Sequence, residues 1–258
     1  MNRFPAETLV ERTKRLSPNF RIVRPDAEIF GAGPYPTTIM MHGCGDQNGP
    51  QIDYANASAQ RGIASIIVDS YSSRRINKAQ ASALICSGLQ LWGRERAGDI
   101  FVALDWARGQ DWVDGDKLSL AGWSHGGWSV MDALALGGEV GKYAKITDLS
   151  GDLLAGVDSV FLVYPWCGAG AQTPSRGWLK PMRTLMLLAE KDSVAGVRFP
   201  LRALAAAEKS GASAQSIVYP GATHCFDEKV TLNPTFKYDP VDTAKATNLY
   251  AEWISAAM

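Results

Sequence analysis

Short apolar runs recur along the chain, and most stop at glycine, proline or aspartate. Arg21–Arg24, Thr37–Met41, Ile63–Asp69, Leu118–Gly122, Ser159–Tyr164, Thr184–Ala189 and Ser216–Tyr219 read as strands. Between them, charged and apolar positions alternate with helical spacing over Asp53–Arg61, Arg94–Arg108, Gly127–Leu136, Val197–Lys209 and Val241–Ala257. In the 94–108 segment, Ile100, Val102, Leu104 and Trp106 are interleaved with charges, which marks one helical face. Strands alternating with helices predict an α/β domain with a mostly parallel sheet covered on both faces. Ligands of such sheets bind at the carboxyl ends of the strands. Two segments fit neither period. Tyr71–Gly93 joins a strand to a helix, and 137–157 separates a helix from the next strand. Segments of this length at the carboxyl edge serve as binding loops or lids, or decorate the surface. For 137–157 both readings stay open.

No repeat, linker or low-complexity stretch divides the 258 residues, so a single domain over 1–258 is expected, with 1–20 as an N-terminal extension. The charges balance at 26 of each sign, which argues against a nucleic-acid face or a polybasic membrane anchor. The longest apolar runs are strand-sized, too short to cross a bilayer. Residues 1–20 hold no apolar core of a signal peptide. The expected location is therefore cytoplasmic, or periplasmic or secreted if a leader has been removed. Cys44, Cys86, Cys167 and Cys225 include no C-x-x-C pair, so no metal site is expected. A chain with a full core needs no staples, so four reduced thiols are the default.

The candidate chemistry centres on Gly122-Trp123-Ser124-His125-Gly126, a G-x-S-x-G pattern between a strand and a helix. A sharp strand-to-helix turn strains the serine and crowds the positions two residues either side, which favours glycine there. The turn exposes the hydroxyl and places the N–H of His125 at a helix start, where it can stabilise an oxyanion. A serine needs a base. Of three histidines, His125 is adjacent to Ser124 and diverges from it, and His42 follows the first long strand and braces a loop. His224, past the last strand, remains as the base. Its carboxylate partner should lie between Ser124 and His224 at a strand end; Asp192 fits better than Glu190, which sits closer to the strand body. The glycine-flanked loop His42-Gly43-Cys44-Gly45 supplies the second oxyanion donor, the N–H of Cys44. Tyr71, Trp123, Tyr164 and Trp166 lie at or beside strand ends as candidates for a substrate rim, and Arg74 or Arg75 for holding an anionic group. Trp106 and Trp128 read as core.

Together HGCG, VDSYSSR at 68–74, Arg96 and Asp99 before LDWAR, GWSHGG, VYPWCG at 163–168, the Asp192 strand and HCF at 224–226 resemble the α/β-hydrolases, and within them the dienelactone hydrolase family. The resemblance runs from about Arg21 to the end. It implies about eight strands, a small compact body and no metal or organic cofactor. Three departures stand out. Ser124 replaces the cysteine of the best-known members, and Gly43 stands where they place a glutamate against it. Glu228 occupies the position of a carboxylate-binding arginine four residues after the histidine, and would repel an anionic lactone. The expectation is a serine carboxylic-ester hydrolase of small esters, acting as monomer or homodimer without nucleic-acid or membrane partners. Dienelactone hydrolase proper, a peptidase or acyltransferase on the same scaffold, and a non-catalytic binding protein are the alternatives.

Overall fold

The computed structural model describes residues 5–45, 49–231 and 233–256. Ala257, the last residue of the expected C-terminal helix, and the first four residues of the expected extension lie outside them. Seven strands form one sheet: β1 Arg21–Val23, β2 Tyr35–Met41, β3 Ala64–Val68, β4 Val113–Trp123, β5 Val157–Val163, β6 Arg183–Ala189 and β7 Ser213–Tyr219. Their order is β1-β3-β2-β4-β5-β6-β7, parallel throughout except that β1 runs antiparallel to β3. The resemblance implied about eight strands, and seven are found among the described residues.

The inner strands are apolar at successive positions because both faces of the sheet are covered. Side chains alternate between two cores. Ile39, Met41, Ile66, Leu120 and Leu162 face one, while Met40, Ile67, Ala121 and Phe161 face the other. The first core is closed by α3 Gly93–Arg108, α4 His125–Leu136 and α6 Arg198–Lys209, the second by α2 Gln51–Ala59 and α7 Pro240–Ser255. α1, Leu9–Leu16, packs on α3 and buries Arg12 and Leu16, so the N-terminal extension is docked onto the domain. Segment 137–157 holds α5, Val140–Ala144 in sequence terms, which lies between α4 and the next strand and packs on α3. Gly98 makes that approach possible: a Cβ there would stand 2.5 Å from Cβ of Ala144. No residue of 137–157 lines the main cavity. The roof comes instead from 78–92, which includes a π-helical turn over Ala81–Ile85.

Candidate active site

β4 runs directly into α4, and the turn between them carries Ser124 at φ 49° and ψ −115°. A non-glycine residue holds this region only when its surroundings over-determine it. Here the backbone does so. The Ser124 N–H donates to Val163 O at 3.0 Å, and its carbonyl accepts from the N–H groups of Trp128 and Trp166 at 3.0 and 3.1 Å. The glycines are sterically required. A Cβ on Gly122 would lie 2.7 Å from Gly127, and one on Gly126 only 2.1 Å from Met41 O.

At the carboxyl ends of the strands, Ser124 Oγ lies 2.8 Å from His224 Nε2, and His224 Nδ1 lies 2.7 Å from Asp192 Oδ2. Three residues separated by up to 100 positions thus form one hydrogen-bonded chain. Asp192 follows β6 and its other oxygen accepts from the N–H groups of Val194 and Ala195, each at 2.8 Å. Burial opposes ionisation of Asp192, but the bonds from His224 and these two amides outweigh it and hold the carboxyl below its usual range. Glu190, the competitor, turns away and accepts from Gly221 N–H.

The loop after β2 brings Gly43 against the serine; a Cβ on Gly43 would be 3.7 Å from Cβ of Ser124. His125 opens α4, so its N–H has no intrahelical acceptor. Both loops are fastened by Arg96, fully buried on α3. Its Nη1 donates to His42 O at 2.8 Å and lies 3.3 Å from His125 Nδ1, and its Nε donates to Ser70 Oγ at 2.9 Å. Burial, reinforced by Arg96, lowers the His125 pKa to about 3 and pushes His42 well below its usual value. Both rings are neutral braces, which leaves His224 as the histidine beside the serine.

Cys44 is disulfide-bonded to Cys86, with Cα atoms 5.4 Å apart. This corrects the expectation of four reduced thiols. The core is indeed large enough without a staple, but the bond serves a local purpose: it ties the loop beside Ser124 to the roof segment. It also removes Cys44 as a reactive thiol. The cytoplasmic expectation loses the support it took from reduced thiols, since such bonds persist in oxidising compartments. Cys167 and Cys225 are free, and burial raises both thiol pKa values well above the usual one.

The rim residues divide. Trp166 is half-buried and lines the cavity. Trp123 is buried at its floor, with Nε1 donating to Asp227 at 3.3 Å. Tyr71 is not a rim residue: it packs edge-on against His42, and its hydroxyl donates to Cys44 O at 3.3 Å, so it supports the loop from behind. Arg74 is also corrected. Its guanidinium makes a two-pronged pair with Asp99, at 2.7 Å on each oxygen, and is buried away from the cavity. Arg75 likewise lies outside the cavity lining. Asp227 was not singled out from sequence. It accepts from Tyr54 and Tyr164 at 2.8 and 2.5 Å and anchors the turn that carries His224. No local pattern marks it, because its partners come from α2 and the end of β5. Among the described residues, no three His, Cys, Asp or Glu side chains converge to hold a metal ion.

Asp132, on α4 below this site, gives a pH prediction. Its Oδ1 accepts from Gln172 N–H at 2.8 Å, yet burial raises its pKa to about 7 from 3.8. A folded-state pKa above the unfolded one means that ionisation penalises the folded state. The penalty is absent below about pH 4, grows as pH rises, and is complete above about pH 7. Asp132→Asn keeps the acceptor without the charge. It is expected to raise the thermal midpoint by about 5 °C at pH 8, with the gain vanishing towards pH 4. A gain independent of pH would refute this reading.

Residues 50–148 match the family model of the prolyl oligopeptidase family. No protein of curated function matches the chain. Among solved structures, a Klebsiella pneumoniae protein assigned as a dienelactone hydrolase superposes with a TM-score of 0.67 at 16% identity, covering 92% of each chain. Esterase 2 of Thermogutta terrifontis, phosphonylated by cyclosarin, gives 0.65 at 14%, covering 92% of this chain and 88% of that one. The dienelactone hydrolase of Anabaena variabilis gives 0.61 at 17%, covering 93% and 91%. The fold is that of an α/β-hydrolase. In architecture the chain is similar to the dienelactone hydrolases and to the esterase alike, and the family-model match spans the Ser124 turn but neither Asp192 nor His224.

Proposed function

We propose that this α/β-hydrolase is a serine carboxylic-ester hydrolase. The observation that carries the reading is the unbroken hydrogen-bonded chain Ser124–His224–Asp192, whose Ser124 and His224 line a cavity of about 760 Å³. Ser124 Oγ attacks the ester carbonyl carbon while His224 Nε2 takes its proton. The developing oxyanion is held by the N–H groups of Cys44 and His125. His224 then protonates the leaving alcohol. Water, deprotonated by His224, cleaves the acyl-enzyme and releases the acid. Asp192 stays ionised and orients His224 throughout.

Dienelactone itself is disfavoured as the substrate. Arg74 is committed to Asp99, and among the described residues the charged side chains lining the cavity are Lys78 and Glu228. The prolyl oligopeptidase match favours a second reading, cleavage of a peptide bond. The same machinery serves both, so relative rates on an ester and an anilide of one acyl group separate them.

The test is covalent labelling. A phosphonofluoridate should add one phosphonyl group to the peptide containing Ser124, with loss of fluoride, and the label should be absent from protein unfolded beforehand. Folded protein that takes no label at Ser124 would remove the serine-hydrolase reading.

A further inference from the structure

One wall of the cavity is built from three tryptophans that come from three different parts of the chain. Trp92 precedes α3, Trp128 lies in the first turn of α4, and Trp166 follows β5. Their rings form a row: Trp92 to Trp128 is 6.0 Å between centroids, and Trp128 to Trp166 is 6.5 Å. All three line the cavity, Trp128 buried between two half-exposed neighbours. The row is rooted at the serine, because the backbone N–H groups of Trp128 and Trp166 both bond to the Ser124 carbonyl.

Each indole lies against a glycine whose missing Cβ leaves room for the ring. A Cβ on Gly93 would stand 2.4 Å from the Trp128 ring, one on Gly168 2.4 Å from Trp166, and one on Gly170 2.6 Å from Trp92. Any side chain at these positions would have to displace the indole it meets. Packing alone does not account for the arrangement, since Trp92 and Trp166 keep exposed ring surface where a core tryptophan would be covered. Trp92 is further fixed by its Nε1–H, which donates to Gly88 O at 2.6 Å. Ile85 and the disulfide-bonded Cys44 and Cys86 line the same cavity, which adds apolar surface to that of the rings.

We infer that the Trp92–Trp128–Trp166 wall is the specificity subsite of this enzyme and holds an uncharged aromatic ring of the ester. This rests on the serine-hydrolase reading above. A rigid row of ring faces and edges stacks a flat ring at little ordering cost and gains less from a flexible alkyl chain of equal size. The expected discrimination is roughly tenfold.

The test uses two pairs of isomer-sized esters followed by pH-stat titration. Methyl 3-phenylpropanoate is compared with methyl nonanoate for a ring on the acyl side, and 2-phenylethyl acetate with octyl acetate for a ring on the alcohol side. In at least one pair, kcat/KM should be about tenfold higher for the ring-bearing ester. Trp92→Leu and Trp166→Leu should each pull that ratio towards one. The ratio of two substrates on the same variant does not depend on how much protein folds. A ratio at or below one in both pairs, or a ratio that survives both substitutions, overturns the inference. If no ester is turned over, phosphonyl labelling of Ser124 decides the serine-hydrolase reading, and calorimetric binding of 2-phenylethanol against 1-octanol decides the subsite separately. Ring-selective binding lost in Trp92→Leu sustains it, and equal binding overturns it.

Discussion

Turnover of p-nitrophenyl acetate is expected to fall by about 10⁶ in kcat in Ser124→Ala and by about 10⁴ in Asp192→Asn. The two losses have different origins. Alanine removes the attacking oxygen, and no other group can take its place: Cys44 is in a disulfide and the Cys225 thiol is held protonated by burial. Asparagine keeps the shape but changes the proton pattern. Asp192 Oδ2 accepts from His224 Nδ1 at 2.7 Å, which leaves Nε2 unprotonated and facing Ser124 Oγ at 2.8 Å. An amide NH₂ at that position would donate to Nδ1 instead, put the proton on Nε2, and leave the serine without a base. The amides of Val194 and Ala195 favour this outcome, because they require an acceptor oxygen on the other side of residue 192 and so direct its NH₂ towards the histidine. Single-turnover and steady-state rates of the three proteins check this. An Asp192→Asn variant within tenfold of wild type would mean that His224 is oriented by something else, with Tyr164 and Phe236, which flank its ring at 4.7 and 5.2 Å, the first to examine.

These residues were legible in the sequence because each obeys a local rule. Ser124 sits in a glycine-framed turn that no ordinary loop needs, Asp192 follows a continuous apolar strand, and His224 follows the last one. The strands were legible because a sheet buried on both faces leaves unbroken apolar runs. What could not be read depends on pairings across the fold. Arg74 lies in a loop after a strand, where an arginine ordinarily meets solvent; its partner Asp99 is 25 residues away on α3. Tyr71 looked like a rim residue for the same reason. The Cys44–Cys86 bond spans 42 residues with no motif at either end. Trp128 read as core from its helical position and is buried, yet it is the middle of a row whose outer members face the cavity. Gly93, Gly168 and Gly170 look like punctuation in the sequence and have a steric role only once the indoles are placed.

Removing the Asp99 carboxylate is expected to be the most damaging change away from the reacting groups: Asp99→Asn should cost about 3–5 kcal/mol of stability. Asp99 is fully buried and sits between two buried guanidiniums, paired with Arg74 at 2.7 Å and with Arg12 Nη1 at 3.2 Å. Taking one member from such a cluster leaves uncompensated charge in a dry interior, which outweighs the loss of the pairs themselves. Burial alone would raise the Asp99 pKa, but Arg74 and then Arg12 hold it at about 2. A folded-state pKa below the unfolded one stabilises the protein above about pH 4, and that contribution is lost as pH falls through about 2. Urea unfolding should therefore show a large gap between wild type and Asp99→Asn at pH 7 that narrows in acid. The damage should also reach the serine. Arg74 donates to Ser70 O, Ser70 Oγ accepts from Arg96, and Arg96 fastens the backbone of His42 and the ring of His125. The cluster thus joins α1, the loop after β3 and α3 into one support under both expected oxyanion donors. In the folded fraction of Asp99→Asn, kcat should fall more than KM rises, because loosened donors weaken transition-state binding more than substrate binding. A loss below about 1 kcal/mol would place Asp99 among solvent-screened pairs and remove this account of how the N-terminal helix supports the site.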